Sequence, residues 1–375
     1  MNVYITNTSC YLPNVEIGND EIEDVLGEVY NKASHIKKLV LKRNGIRTRY
    51  YALDNNRQIT HSNAELATNA IREMSSSEFS IDDIDFLACG TSSSDFIFPS
   101  QASMVHGLLG GKPMELFSQS GVCLSSLQAL KAAYWAIFTG ERQTAVCVNS
   151  EQASPVLTSS NFELEQEISF GLNQNPYMAF EKEFLRFMLS DGASAALLKN
   201  KPSSQKTSYK IEWIDMVSYA NELPTCMLCG GEKINDEKCI GWKYFTPKER
   251  AEKSIFTIKQ DVRLLQKYAI PYFAKSIEYF VNKHNAKKID YVLPHISSMF
   301  FFDKLKNELN KNNISIGEKG WYTNLSQTGN IGAAAILAIL HGFTQEKKYK
   351  KGETILLLVP ESGRFSYGAA LLTIF

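Results

Sequence analysis

Ile84-Asp85-Phe86-Leu87-Ala88-Cys89-Gly90-Thr91-Ser92-Ser93 reads as one buried strand, an apolar run that ends in small and polar residues. The same pattern returns 205 positions later in Ile289-Asp290-Tyr291-Val292-Leu293-Pro294-His295-Ile296-Ser297-Ser298. Farther on, Cys123 before its helix corresponds to Asn330 before Ile331-Gly332-Ala333-Ala334-Ala335-Ile336-Leu337, an offset of 207. Gly140-Glu141 and the strand Thr144-Ala145-Val146-Cys147-Val148 then correspond to Gly352-Glu353 and Thr354-Ile355-Leu356-Leu357-Leu358-Val359, at offsets of 210 to 212. Three matches in the same order, drifting by a few residues, point to an internal duplication. Each half alternates strands with helices, which predicts α/β layers with helices packed on sheets. The halves are expected at 1–200 and 201–375. Segments about 155 to 190 and 221 to 260 lack counterparts and read as insertions over the core, as cap or dimer-contact elements.

Cys123 is the residue of greatest chemical interest. It lies in Ser120-Gly121-Val122-Cys123-Leu124-Ser125-Ser126-Leu127, directly before an Ala/Leu-rich helical pattern. A thiol at a helix N-terminus feels the positive end of the macrodipole and unpaired backbone N–H groups. Both favour thiolate, so the spacing predicts a lowered pKa and a nucleophile near neutral pH. The plainer reading is a buried structural thiol. His295 and Asn330, taken singly, also have plain readings, a polar core residue at a strand end and a helix N-cap. The duplication changes the balance, because it sets all three where a strand or loop meets the next element. In a pseudo-twofold body such positions converge on one cleft between the halves.

The 375 residues exceed what one hydrophobic core usually organises. Forty basic residues balance forty acidic ones, which gives no overall field for nucleic acid or a membrane surface. Seven irregularly spaced cysteines, and a start at Met1-Asn2-Val3-Tyr4-Ile5 unlike a secretory signal, predict a reducing cytoplasm. Cys226-Met227-Leu228-Cys229, with Cys239 nearby, invites a zinc reading. No second pair and no nearby histidine complete four ligands, so no metal and no cofactor is expected. The apolar stretch around Ala333 to Leu340 is too short to span a bilayer.

An ordered set of further motifs resembles the thiolase-fold condensing enzymes, and within them the β-ketoacyl-acyl-carrier-protein synthase III branch. Tyr11-Leu12-Pro13 resembles the opening strand region and Arg43-Asn44-Gly45-Ile46-Arg47 an R-T-G-I-R motif. Asp191-Gly192-Ala193-Ser194-Ala195-Ala196 resembles D-G-A-G-A-A, and Pro294-His295 the start of P-H-Q-A-N. Gly329-Asn330-Ile331-Gly332-Ala333-Ala334 resembles G-N-T-S-A-A, and Gly363-Arg364-Phe365-Ser366-Tyr367-Gly368 resembles G-G-F-T-W-G. The resemblance covers essentially the whole chain. It implies two βαβαβαββ halves layered α-β-α-β-α, a homodimer, and acyl carrier protein or coenzyme A thioesters as partners. It also implies that Cys123 accepts an acyl group and that His295 and Asn330 complete the site. The backbone N–H groups of Cys123 and Gly363 match the family's oxyanion hole. Developing negative charge on a thioester oxygen needs such preorganised donors in a dry pocket.

Substrate clues are finer. Lys37, Lys38, Lys42, Arg43, Arg47 and Arg49 crowd one segment, a solvated face or a landing site for phosphopantetheine or an acidic carrier protein. Arg43 matches the family's pantetheine-phosphate contact. Leu39 stands where the initiating synthases carry a tryptophan that stacks on adenine, which favours a carrier-protein donor. Ile296-Ser297-Ser298 replaces Q-A-N, so Ser298 becomes a candidate pantetheine contact. The segment Phe180 to Gly192 resembles a subgroup similar to bacterial dialkylresorcinol- and stilbene-forming ketosynthases, which join two β-ketoacyl thioesters and close a ring to a cyclohexanedione. The alternative is decarboxylative Claisen condensation with malonyl carrier protein, as in β-ketoacyl synthase III. Ring closure needs a further base, and Glu151, after the Cys123 helix, is the candidate; a structural carboxylate is the plainer reading. Glu183 and Arg186 have the spacing of a helix ion pair. Phe96, Phe98, Phe180 and Phe187 are expected to set pocket volume, Phe187 as a substrate contact.

Overall fold

The computed structural model describes residues 1–29, 33–34, 36–162, 184–286 and 288–375. Its ten principal strands are β1 Tyr4–Tyr11, β2 Phe86–Thr91, β3 Glu115–Ser120, β4 Thr144–Glu151, β5 Gly192–Lys199, β6 Tyr209–Ser218, β7 Tyr291–Pro294, β8 Gly320–Trp321, β9 Thr354–Glu361 and β10 Ser366–Ile374. The helices that organise them are α1 Lys37–Asn44, α2 Asn63–Glu73, α3 Gln101–Leu109, α4 Ser125–Phe138, α5 Val262–Lys283, α6 Met299–Lys311 and α7 Ala335–Glu346. With α1 left aside, β1 to β5 and β6 to β10 each run βαβαβαββ.

Hydrogen bonding joins all ten strands in the order β8-β7-β9-β10-β6-β1-β5-β4-β2-β3. Read outward from the centre, each position on one side holds the duplicate of the strand on the other. β2 lies parallel to β3 and β4, as β7 lies parallel to β8 and β9. The halves meet where β1 and β6 pair at Tyr4↔Lys210 and Ile5↔Tyr209. The boundary expected near 200 falls in the connection between β5 and β6.

The central strands are continuous apolar runs because both their faces are covered. Alternate residues go to different cores. Phe86, Ala88, Ala145 and Cys147 face a central cluster with Leu127, Leu130 and Ala133 of α4 and Ile336, Leu337 and Leu340 of α7. Leu293, Ile355 and Leu357 of the second half join the same cluster. Leu87, Cys89, Val146 and Val148 point the other way, onto α2 and α3. Val292, Leu356 and Leu358 face α5 and α6. The result is five layers, helix-sheet-helix-sheet-helix, with α4 and α7 in the middle.

Small residues make that middle layer possible. A Cβ on Gly90 of β2 would lie 2.6 Å from Asn149 Oδ1 and 2.7 Å from the backbone oxygen of Ser125, so only glycine lets the start of α4 sit this close to the sheet. The outer helices begin on local signals. Ser62 and Glu65 form a capping box at α2, and Asp261 accepts from Leu264 N–H at α5. Among the described residues, no helix is long and apolar enough to cross a membrane.

Candidate active site

Cys123 occupies the turn that opens α4. Ser125 N–H donates to the Val122 carbonyl at 2.9 Å, and Ser126 Oγ donates to the Cys123 carbonyl at 2.6 Å. These bonds fix the turn and hold the cysteine at the end of the middle layer. His295 follows β7, pinned by its N–H to the Leu358 carbonyl at 2.8 Å. Asn330 precedes α7, with its N–H on the Met188 carbonyl and its own carbonyl taking Ser190 N–H, both at 3.0 Å. His295 and Asn330 lie 172 and 207 residues from Cys123 along the chain, yet all three line one cavity of about 760 Å³.

The cavity wall is largely apolar. Pro155, Val156, Phe184, Leu185, Met188 and Leu189 come from the first insertion; Met227, Leu228, Phe256 and Ile258 come from the second; Leu265, Ala269 and Phe273 come from α5. The segments without duplicate counterparts thus form much of the wall, as a cap would. The Phe180 to Glu183 stretch, and with it a Glu183–Arg186 pair, lies outside the described residues. Arg186 itself is buried and donates to the Leu157 carbonyl at 2.8 Å and to those of Leu26 and Gly27.

Electrostatics at the site differ from the expectation for Cys123. Its thiol pKa is pushed up, chiefly by burial and then by the charges of Glu151 and Glu361, with its own backbone N–H pulling weakly downward. A helix terminus contributes about 0.3–2 kcal/mol, roughly one pKa unit, whereas burial can shift a group by about 3–5 units. The resting group is therefore a thiol. Because its pKa lies above the ordinary thiol value, iodoacetamide labelling at Cys123, followed by peptide mass spectrometry, is expected to rise about tenfold per pH unit from pH 7 to 9. A plateau below pH 8 would contradict this. His295 is fully enclosed, and burial lowers its pKa to about 4, so it is neutral at neutral pH and carries one N–H and one lone pair.

Glu151 does line the cavity. Its Oε1 accepts Ser93 Oγ at 2.5 Å and Ser92 N–H at 3.3 Å, while Oε2 accepts Ala333 N–H at 3.1 Å. It therefore ties the end of β2 to the start of α7, and burial raises its pKa against those hydrogen bonds. Asn330 Oδ1 accepts Gly332 N–H at 3.1 Å, a local side-chain turn and not the expected helix N-cap, since Ala334 precedes α7 and no side chain caps it; the Asn330 Nδ2 makes no hydrogen bond to a described residue. Gly363 N–H is already engaged, donating to Glu361 Oε1.

Other expected contacts separate from this group. Phe187 is fully buried in a different cluster, with Ile46, Tyr51 and Phe302, and does not line the cavity; its carbonyl instead accepts from Asn44 and Arg49. Phe96 and Phe98 are exposed rather than lining. Arg49 is wholly buried and Lys37 pairs with Glu23 at 2.9 Å, so neither contributes to an open basic face. Arg43, Leu39 and Ser298 line a separate small groove of about 50 Å³ that shares Phe184, Leu265 and Phe301 with the main cavity. Ser298 is also the N-cap of α6 and donates to the Arg43 carbonyl at 3.4 Å. Cys226, Cys229 and Cys239 are free thiols, and among the described residues no cluster of His, Cys, Asp or Glu is placed to hold a metal ion.

Sequence reasoning missed Glu361. It ends β9 as Glu151 ends β4, and it lines the cavity. The available signal was the duplication itself, since Thr144 to Glu151 and Thr354 to Glu361 align at the offset of 210 already noted.

Residues 281–374 match the family described as 3-oxoacyl-[acyl-carrier-protein] synthase III, C terminal. The whole chain is similar to the β-ketoacyl-[acyl-carrier-protein] synthase III of Clostridium perfringens, 24% identical with 99% of each chain covered. Among solved structures it is similar to AbyA1, titled a tetronic acid condensing enzyme, with a TM-score of 0.77 at 17% identity over 99% of each chain. It is also similar to OleA of Xanthomonas campestris, with a TM-score of 0.72 at 20% identity over 100% of this chain and 98% of that one.

Proposed function

We propose that this chain is a thiolase-fold condensing enzyme of the β-ketoacyl synthase III type, in which Cys123 takes an acyl or β-ketoacyl group from a thioester. A second β-ketoacyl thioester then attacks that group, forming a C–C bond, and the product cyclises to a cyclohexanedione. The observation that carries this reading is the cavity that holds Cys123, His295, Asn330 and two glutamates inside a largely apolar wall. An apolar wall accepts alkyl chains, and a water-poor site strengthens every donor aimed at a developing oxyanion.

In this reading His295 and the Nδ2 of Asn330 supply donors to the thioester oxygen of the attacking substrate. Neutral histidine suits that task because it donates without adding a buried charge. The Cys123 N–H, and Gly363 N–H once released by Glu361, serve the oxygen of the acyl-cysteine. Glu151 is the weaker choice for the ring-closing base, since both its oxygens are committed to Ser92, Ser93 and Ala333. A pantetheine arm would approach from the groove of Arg43 and Ser298, which shares walls with the cavity. Leu39 in that groove offers no aromatic face for adenine, which supports acyl carrier protein as donor. A homodimer formed through the edge strand β3 is supported by the exposed Phe96, Ile97 and Phe98 and by the open edge itself.

The test is product mass spectrometry with a β-ketoacyl carrier protein, with and without malonyl carrier protein. The expected result is a cyclic dione from two β-ketoacyl units without malonyl. A linear product two carbons longer, formed only with malonyl and with release of carbon dioxide, would assign the decarboxylative reaction instead.

A further inference from the structure

Two glutamates related by the internal twofold flank Cys123, and their surroundings are not equivalent. Glu151 is bound across two elements by donors from Ser92, Ser93 and Ala333. Glu361 is held within its own hairpin: Oε1 takes Gly363 N–H, Arg364 N–H reaches its two oxygens at 3.3 and 3.4 Å, and the backbone N–H and hydroxyl of Ser366 also donate to it. That turn lies against the turn of the cysteine, because a Cβ on Gly363 would meet Glu361 Oε1 and come within 3.1 Å of Val122 Cγ2. The Arg364 side chain is directed elsewhere, its Nε on the Leu223 carbonyl at 3.5 Å. Glu361 is thus a half-buried carboxylate at the cavity wall, near enough to the nucleophile for its charge to raise the Cys123 pKa, and it accepts the very N–H that an acyl-cysteine oxygen would claim.

We propose that Glu361 is the general base that takes the C2 proton of the attacking β-ketoacyl thioester. This rests on the reading that the second substrate is a β-ketoacyl unit condensed without decarboxylation. The C2–H bond breaks and its proton passes to a Glu361 oxygen. The resulting enolate attacks the acyl carbonyl on Cys123, the C–C bond forms, and the C–S bond to Cys123 breaks. The departing thiolate receives the proton from Glu361, which returns both groups to their starting states. When the acyl-cysteine oxygen takes the Gly363 N–H, Glu361 loses a hydrogen bond to its ionised form and becomes a stronger base. Burial, which already raises its pKa, acts in the same direction.

The test uses a Cys123→Ala background, which cannot condense, with a β-ketoacyl pantetheine thioester in deuterium oxide. Deuterium exchange at C2 above the buffer rate is expected, falling at least tenfold with Glu361→Gln added. Exchange within threefold of the parent in Glu361→Gln, or no exchange above buffer in the parent, would overturn the proposal. With Cys123 present, Glu361→Gln is expected to acylate stoichiometrically yet lose condensation, and Glu361→Asp to acylate fully with condensation reduced about tenfold. Equal loss of both steps in both variants would mean a structural role and refute the base assignment. Failure of the underlying reading is seen separately, as wild-type product that requires malonyl; Glu361 then has no C2 proton to take and the proposal falls with it.

Discussion

Cys123→Ala is expected to take up no acyl group and to lose condensation by on the order of 10³-fold or more, because the covalent route disappears with its nucleophile. The cavity should survive, since the change removes one sulfur from a turn fixed by backbone bonds to Val122 and by Ser126. Intact-protein mass after incubation with an acyl carrier protein reads the first effect, and product formation reads the second. A Cys123→Ala protein that still acquires one acyl group, or condenses at the wild-type rate, would remove Cys123 from the mechanism. His295→Ala provides the contrast. It is expected to acylate while condensing roughly 10²-fold more slowly, as befits loss of one donor to a developing oxyanion.

Asp191→Ala is expected to destabilise the fold by about 3–5 kcal/mol. Asp191 is fully buried at the entry to β5. Its oxygens accept Ala52 N–H at 2.8 Å, Ala153 N–H at 2.7 Å and Ser154 N–H at 2.9 Å, together with Ser154 Oγ. Burial pushes its pKa up and those four donors pull it back. Removing the carboxylate leaves all four without an acceptor in a region closed to water. It also unties the segment after Arg49 from the short helix Ser154–Leu157 beyond β4, both of which border the site. Asp191→Asn should lose less, since one acceptor oxygen remains. Urea unfolding followed by circular dichroism measures both. A shift under 1 kcal/mol for Asp191→Ala would show that the surrounding backbone finds other partners.

The Asp191-Gly192-Ala193 motif illustrates how a resemblance and a structure divide the work. In sequence it marked only the start of a strand. In space its aspartate organises two loops separated by about a hundred residues. The Arg43-Asn44-Gly45-Ile46-Arg47 stretch divides similarly. Asn44 donates to the Phe187 carbonyl at 2.9 Å and accepts Ile46 N–H at 2.9 Å, Gly45 closes α1 at φ 70°, and Arg47 Nε binds Ser326 Oγ at 2.9 Å. Of these, Arg43 and Asn44 line the groove beside the cavity.

What the residue order determined by itself was local and periodic. Strands buried on both faces declare themselves as apolar runs, the start of α4 as glycine and small residues before an Ala/Leu pattern, and the two halves as matched strings at offsets near 205. Those signals placed Cys123, His295 and Asn330 at element ends, and the tertiary fold brought them to one cavity. What only the tertiary structure decided was everything set by sums over distant neighbours. Burial turned the predicted pKa of Cys123 from lowered to raised, put Phe187 and Arg49 inside the protein, and left Phe96 and Phe98 outside it. The same physics singled out Glu361, since a carboxylate becomes a base only where desolvation, nearby charge and the N–H groups around it combine, and those contributions come from segments far apart in the chain.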